Sequence, residues 1–535
     1  MDTIENLFRR LEQLNEIGAS LSKERDIDRL LETILVAAKT ITHADGGTLY
    51  RMREEGDSLR FEIVRTDSLS IALGGSTGKP ISFPPLPLKN DKGEPNNSMI
   101  AVYAALNDKT VNIVDAYTEA GFDFSGTRRF DASTGYRSKS FLTVPMKNHE
   151  NEIIGVLQLI NSLDPKSGEV VSFSPADQRL AESLSSQAAI ALTNRQLVVQ
   201  LETLFESLIN LINLAIDEKS PYTGGHCQRV PDLTMMLAEG VNQTGDGPLA
   251  EFQMTERDFY ELKIAGLLHD CGKVTTPVHV VDKSTKLQTL FDRILMVDTR
   301  FEVLKRDTEI RMLQGIIEDK AAEPMLRTEY EQEMRLLEEE KAFLRRANVG
   351  GEVMSEADQK RVRDIGTLRK WSHSDAVEAD FLSANEIENL SIRAGTLTGE
   401  EREIINHHIV ATIKMLERLP WPNHLKNVAE YAGGHHERMD GKGYPKGLTR
   451  EQMSLQARMM GIADIFEALT ASDRPYKKGM KLSQAMGIMA NFKKNGHIDP
   501  DLFDVFVRKG VYLRYAEKFL DQSQLDNVDE AAVLQ

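Results

Sequence analysis

From about residue 25 to 175 the apolar positions follow a mixed period. "GGTLYRM" (46–52) and "LRFEIVRT" (59–66) read as strands, and "KSFLTVPMKNHENEIIGVLQLINS" (139–162) reads as a hairpin around a polar turn. The period then changes. In "FSPADQRLAESLSSQAAIALTNRQL", Ser174 is a good N-cap, Pro175 suits the first helical position, and Asp177 lies where the helix dipole favours an acid. No breaker follows until Pro221, and Ile190, Leu197, Leu201, Leu204, Leu208 and Leu211 keep a mostly four-three spacing. That spacing predicts the seam of a dimerising coiled coil on a rod of roughly 60 Å. A helix packed on its own domain is the competing reading.

The stretch 284–396 is charged and helical, as in "FEVLKRDTEIRML" and "EYEQEMRLLEEEKAFLRRANVGG". Tyr330, Met334, Leu337 and Leu344 follow a heptad that Lys341 interrupts, which predicts an arm or hairpin ended at Gly350-Gly351. No catalytic constellation lies there, and His373 reads as a surface residue. The C-terminal "DQSQLDNVDEAAVLQ" reads as an acidic, frayed tail.

Length and composition bound the rest. A chain of 535 residues exceeds one ordinary core, so about two to four domains are expected. With 41% hydrophobic and 27% charged residues it is of globular type. Only Cys227 and Cys271 occur, so no disulfide framework staples the fold and a reducing cytoplasm is expected. No apolar run approaches the roughly eighteen residues of a membrane span, and "MDTIENLFRRLEQLNEIG" reads as an amphipathic helix, not a signal peptide. The net charge of −17 argues against broad nucleic-acid binding. An anionic substrate therefore needs metal ions, or a few placed Lys and Arg, to reverse the local field.

Candidate chemistry concentrates in the second half. His226 lies in "SPYTGGHCQRV". His269 and Asp270 end the apolar "FYELKIAGLLHDCGKV", with Gly272 and Lys273 just beyond, and His408 closes "LTGEEREIINHH". His435 and His436 stand in "GGHHERMDGKGYP", and Asp464 in "ARMMGIADIFEALTASDRPYKK". Most sit at the ends of predicted helices among apolar neighbours. A buried, unpaired charge costs several kcal/mol, so a common centre explains them better than separate pairings. Imidazole and carboxylate without thiolate-cluster spacing suit Fe, Mn, Zn, Ni or Co, not a structural zinc knot. A carboxylate next to a histidine, as in His269-Asp270, can bridge two ions. Two ions about 3.5–4 Å apart would hold a bridging water as hydroxide near neutral pH and polarise a phosphoryl oxygen. That chemistry is phosphoester hydrolysis.

"HDCGK", then "HHERMDGKGYP", then "ADIFEALTASDRPYKK" together resemble the HD-GYP family of phosphodiesterases that hydrolyse cyclic di-GMP, over roughly 205–283 and 397–515. The resemblance implies that His226, His269, Asp270, His408, His435, His436 and Asp464 are metal ligands, with Asp270 bridging. His407 rivals His408, and the "LTxEE…H" register favours His408. Lys273 matches the lysine on the scissile phosphate, its competing reading being a cation at a helix C-terminus. Arg474 and Lys477 match basic residues on the substrate's phosphates, although Arg474 also reads as the partner of a nearby acid. Gly443, Tyr444 and Pro445 match the signature loop, in which Tyr444 faces the nucleotide. Glu437 and Asp440 read as braces of ligands or loop. Family members with three metals carry a glutamate four residues before the first histidine. Here that place is Tyr222, which implies two divalent metals, Fe or Mn favoured, with Zn, Ni or Co as alternatives. Cys227 and Cys271 read as packing residues or as oxidation-sensitive thiols.

"FLTVPMKNHENEIIGVLQLINS", "FSPAD" and the following long helix resemble a GAF domain, a small α/β sensory module. Of the Asn-Lys…Phe…Asp-Glu pattern shown by cyclic-nucleotide binders, Asn161, Phe173 and Asp177 fit, while Ser162 and Gln178 depart.

The expected fold is multidomain: an N-terminal helix (1–24), an α/β GAF sensory domain (25–177), a connecting coiled-coil helix (178–216), an all-α HD-superfamily catalytic domain (217–520) with a helical insertion (284–396), and an acidic tail (521–535). The expected function is a cytoplasmic, metal-dependent phosphodiesterase, regulated by the GAF domain, that hydrolyses cyclic di-GMP to pGpG, GMP or both. Expected partners are a second copy of the chain, an unidentified small molecule at the GAF domain, and a protein bound by the arm. Two readings compete: a slow messenger-binding regulator acting by protein contact, and an HD hydrolase of another cyclic dinucleotide or nucleotide.

Overall fold

The computed structural model describes residues 12, 15–21, 24, 26–219, 225–351, 353–372, 378–472 and 479–535. Tyr222, His373, Arg474 and Lys477 lie outside the described residues, as does most of the helix expected over 1–24. The chain divides into two compact units, Met1–Phe205 and Glu206–Gln535.

In the first unit, eight strands form one antiparallel sheet: β1 (Ala44–Met52), β2 (Ser58–Thr66), β3 (Ile71–Gly74), β4 (Leu86–Pro87), β5 (Val111–Ile113), β6 (Phe141–Lys147), β7 (Ile153–Leu163) and β8 (Val170–Val171). Their order is β3-β2-β1-β7-β6-β5, with β4 on β2 and β8 on β7. The β6–β7 hairpin turns at Asn148, whose Oδ1 accepts the N–H groups of Glu150 and Glu152. Alternation sends neighbouring side chains to opposite faces. Leu49 and Leu157 meet helix α1 (Ile27–Thr42), whereas Tyr50 and Val156 meet helix α2 (Ile100–Asn107). A third helix, α3 (Ser125–Thr134), precedes β6.

Helix α4 (Pro175–Lys219) starts where Ser174 and Asp177 cap each other reciprocally. Its first turns bury Leu180, Leu184 and Ala188 in the α1 layer. Farther along, Leu201, Leu204, Leu208 and Leu211 are 51–64% exposed, so the predicted seam is an open apolar stripe. One expectation is corrected here. This helix contains an 18-residue window of mean hydropathy 1.3, long and apolar enough to cross a membrane by length and composition. One such helix is weak ground for a membrane assignment, and its Glu206 is paired with Lys263 at 3.1 Å.

The second unit is helical. Helices α5 (His226–Asn242) and α6 (Glu256–Leu268) precede the insertion. The insertion contains the predicted hairpin, α7 (Ile294–Glu318) and α8 (Glu323–Val349), which ends at Gly350 with φ +70°. It is more than an arm. With α9 (Glu356–Leu368), the ribbon β9 (Lys370–Ser372) and β10 (Glu378–Asp380), and α10 (Ala384–Leu390), it encloses its own core of Val297, Phe301, Leu337, Leu344, Val362 and Phe381. Its base is tied shut: buried Lys283 donates to Glu401 (2.6 Å) and Asn389 (2.7 Å), and Thr396 donates to the Lys283 carbonyl.

Helices α11 (Gly399–Leu416), α12 (Val428–Gly433), α13 (Leu455–Thr470), α14 (Leu482–Lys494), α15 (Pro500–Arg508) and α16 (Val511–Phe519) complete the unit. The acidic tail is docked, contrary to the frayed end expected. Gln524 is buried and donates to the carbonyls of Thr470 (2.8 Å) and Met480 (3.0 Å), and Asp526 accepts the Ser483 N–H and hydroxyl. These specific bonds outweigh what composition alone suggests.

Candidate metal centre

The seven predicted ligands converge from separate elements. His226 opens α5, His269 and Asp270 follow the last turn of α6, and His408 lies midway along α11. His435 and His436 follow α12 directly, and Asp464 lies midway along α13. The close approach of the turn Cys271–Thr275, just after α6, to α11 requires Gly272, where a Cβ would sit 2.0 Å from the His408 carbonyl oxygen. The Gly272 N–H donates to Thr412 Oγ1 at 2.9 Å, locking that crossing. His408 is buried and faces the centre, while its rival His407 is exposed.

Four imidazoles are aimed by one device. Nδ1 of His269, His408 and His435 donates at 2.6 Å to the carbonyl three residues earlier: Gly266, Ile405 and Ala432 respectively. His226 Nδ1 donates instead to the Glu467 carboxylate, also at 2.6 Å. Each Nδ1–H so fixed leaves a lone pair on Nε2, pointing inward.

Those nitrogens converge on one another and on carboxylate oxygens. His226 Nε2 lies 3.3 Å from His269 Nε2, and His408 Nε2 lies 3.2 Å from His436 Nε2. Asp270 spans both sides: Oδ2 is 3.1 Å from His226 and 3.3 Å from His269, and Oδ1 is 3.3 Å from His408. Asp464 Oδ1 is 3.3 Å from His226. Among the described residues, buried His435 Nε2 and Asp270 Oδ1 have no hydrogen-bond donor. Acceptor facing acceptor is repulsive unless positive charge lies between. His226–His269–Asp464, His269–Asp270–His435 and His408–His435–His436 each bring their donor atoms within 4.8 Å of one another. The set therefore fits divalent cations bound by nitrogen and oxygen.

The electrostatics agree. Burial, then the neighbouring His436, holds His435 well below the usual imidazole range, and burial pushes His436 down to about 4. Both are neutral near pH 7, as metal ligands must be. Burial would raise Asp270, but Lys273, His269 and His226 together outweigh it and hold its carboxyl well below the usual carboxylate range. At His226 burial opposes charge, yet Glu467, Asp270 and Asp464 together overcome it and hold the imidazole well above its usual range.

Lys273 Nζ lies 2.5 Å from Asp270 Oδ2, so its charge is paired with Asp270. Tyr444 stacks on His436 at 4.8 Å between ring centroids. The loop carrying Tyr444 is braced by buried Glu437, which accepts the N–H groups of Lys446 (2.7 Å) and Leu448 (2.9 Å). Left-handed backbone is required at Gly441 and Gly447, at φ +74° and +65°. Gly443 is needed for space instead, since a Cβ would lie 2.4 Å from the Arg438 nitrogen. Burial raises both thiols, Cys227 to about 12 and Cys271 to about 11, which favours the packing role over oxidation.

Sequence reasoning missed Glu467 and Arg229. Arg229 donates to Glu467 Oε1 through Nε (2.9 Å) and Nη2 (2.6 Å). Each stands three residues after a predicted ligand, Asp464 and His226, and that i,i+3 spacing was the available signal. Arg229 also lines a cavity of about 580 Å³ with Glu206 and Asn210 of α4, Lys263 of α6 and Phe519 of α16.

Residues 26–192 match the GAF domain family, and residues 382–502 match an HD domain family. The chain carries a GAF domain and an HD domain. The HD match includes His408, His435, His436 and Asp464, while His226, His269 and Asp270 lie ahead of the matched stretch. A cyclic di-GMP phosphodiesterase of Pseudomonas aeruginosa is 42% identical over 121 residues, 22% of this chain and 28% of that protein. A 3'3'-cGAMP-specific phosphodiesterase of Vibrio cholerae is 48% identical over 81 residues, 15% of this chain and 19% of that protein. A cyclic di-GMP phosphodiesterase of Thermotoga maritima is 38% identical over 98 residues, 18% of this chain and 26% of that protein. The matched stretch spans less than a third of each of these relatives.

Proposed function

We propose that the chain is a metal-dependent phosphodiesterase that hydrolyses cyclic di-GMP, to pGpG, GMP or both, under control of its GAF domain. The observation that carries this reading is the ring of inward lone pairs on His226, His269, His408 and His435 around a carboxylate, Asp270, that reaches both sides. His226, His269, Asp270, His408, His435, His436 and Asp464 would hold two divalent ions, Fe or Mn favoured, with Zn, Ni or Co as alternatives. When bound, such ions supply Lewis-acid polarisation of the phosphoryl oxygen and a water of lowered pKa.

The remaining work falls to the chain. Lys273 is held at the mouth of the centre by Asp270 and is poised to transfer its charge to the scissile phosphate. Tyr444 presents an aromatic ring already stacked on His436, a platform that excludes water beside the nucleotide. Arg474 and Lys477 are assigned to the substrate's other phosphate oxygens, which offsets the net charge of −17 locally.

The open stripe Leu201–Leu204–Leu208–Leu211 supports a homodimer through α4, in the cytoplasm. Glu206 and Asn210, on the wall they share with Arg229, support regulation through a change in the seating of that helix, driven by a small molecule at the GAF domain. The insertion is assigned to protein contact. A second reading, hydrolysis of a mixed cyclic GMP-AMP, is favoured by the 48% identity to the cGAMP-specific relative.

The test is one anaerobic preparation of the full chain. Metals per chain are measured, and breakdown of cyclic di-GMP and 3'3'-cGAMP is followed by chromatography with added Mn or Fe. About two metals per chain and preferential loss of cyclic di-GMP are expected. Metal-replete protein that binds either dinucleotide without turnover would refute the enzyme.

A further inference from the structure

Three of the aimed histidines donate Nδ1–H to the backbone carbonyl three residues earlier, whereas His226, the first residue of α5, donates to a side chain. Its acceptor comes from another helix. Helices α5 and α13 face each other with matching i,i+3 pairs, His226/Arg229 and Asp464/Glu467. Glu467 is fully buried and uses both oxygens, Oε2 for His226 and Oε1 for the Arg229 fork. Arg229 thus stops the carboxylate from rotating away.

A carboxylate pulls harder on an Nδ1 proton than a carbonyl does, so it makes Nε2 a stronger donor to metal. The cluster that contains His226 also includes Asp464, whereas His408–His435–His436 consists of imidazoles alone. We infer that Glu467, locked by Arg229, is a positioning residue that makes the His226 half of the centre the tighter metal-holding half. The inference rests on the two-metal reading above.

The test is metal retention by the full chain, loaded with Mn and titrated with a competing chelator. Wild type is expected to release its two equivalents at chelator concentrations separated by about tenfold or more. Glu467→Gln keeps the volume and removes the charge. It is expected to weaken the tighter equivalent by about 10- to 100-fold, leaving the weaker one within about twofold. Arg229→Lys keeps a cation but loses the fork, and should fall between. Melting of the metal-free variants checks that each is folded. If Glu467→Gln does not fold, Arg229→Lys carries the same readout. Unchanged retention of the tighter equivalent in the folded variant overturns the inference while leaving the metal centre intact. Wild type that holds no metal overturns the centre itself.

Discussion

Each unit buries a polar network, and the two are built on opposite logic. In the GAF domain Asp131 accepts the Tyr117 hydroxyl, the Ser138 N–H and the Ser138 hydroxyl, all at 2.8 Å. Asn161 sits at φ +56° with its oxygen on the N–H groups of Lys139 and Ser140 and its amide on the Arg137 carbonyl. Donors and acceptors cancel, so the network needs nothing from outside. In the HD domain histidine Nε2 atoms and Asp270 oxygens crowd together, with Lys273 donating to Asp270 Oδ2 and His435 Nε2 and Asp270 Oδ1 left without a hydrogen-bond partner among the described residues. A closed network is a fastener; an acceptor-rich network is a seat for cations. The contrast also explains the GAF motif residues, since Asn161 ties backbone, Phe173 is core, and Asp177 caps α4.

The largest effect that follows is chemical. Asp270→Asn removes the one carboxylate that reaches both sides of the centre. We expect turnover to fall by about a thousandfold or more, roughly 4 kcal/mol in the barrier, with fewer metals per chain. Initial rates and metal analysis on one sample check this. Activity within tenfold of wild type would erase the distinction drawn between the two networks.

Next in size is the fastener. Asp131→Ala strands the Ser138 N–H and hydroxyl in a buried place, at about 1–3 kcal/mol per unpaired group. The GAF unit should lose roughly 3 kcal/mol in denaturant melts, with metal content unchanged. Metal loss in this variant would show that the network is not closed. Chelation, the converse experiment, should destabilise the HD unit alone. Ligand at a hundred times its dissociation constant adds about 2.7 kcal/mol to the folded state, which calorimetry reads as a drop of several degrees in one transition.

How much of this was legible in the sequence depends on the kind of interaction. The strands around Leu49 and Leu157, the cap at Ser174 and the seven converging side chains were visible, because periodicity, capping chemistry and clustered imidazoles are local signals. The backbone acceptors at Gly266, Ile405 and Ala432 were not, because a carbonyl has no letter. Glu467 was hidden in plain view: an acid in "IFEALT" reads as a solvated helix position until α5 is packed against it. The insertion's core was hidden for a related reason. Leu337 and Leu344 show a heptad, but their partners Phe301, Val362 and Phe381 are scattered over about eighty residues.

The smallest predicted effect concerns the acidic tail, which the sequence suggested would fray. Gln524, in the acidic tail, donates to Thr470 and Met480, the two carbonyls that bracket residues 473–478. Arg474 and Lys477 lie between those brackets. Under the proposed assignment of Arg474 and Lys477 to the substrate's phosphates, the tie from Gln524 to Thr470 and Met480 is expected to support substrate binding. Gln524→Ala frees both carbonyls at about 1 kcal/mol each. Because only positioning of the phosphate cations is loosened, KM should rise roughly three- to tenfold while kcat and metals per chain hold. The opposite split, kcat falling at constant KM, would place the tail's influence on the metal side of the site, joining the two networks that are here kept apart.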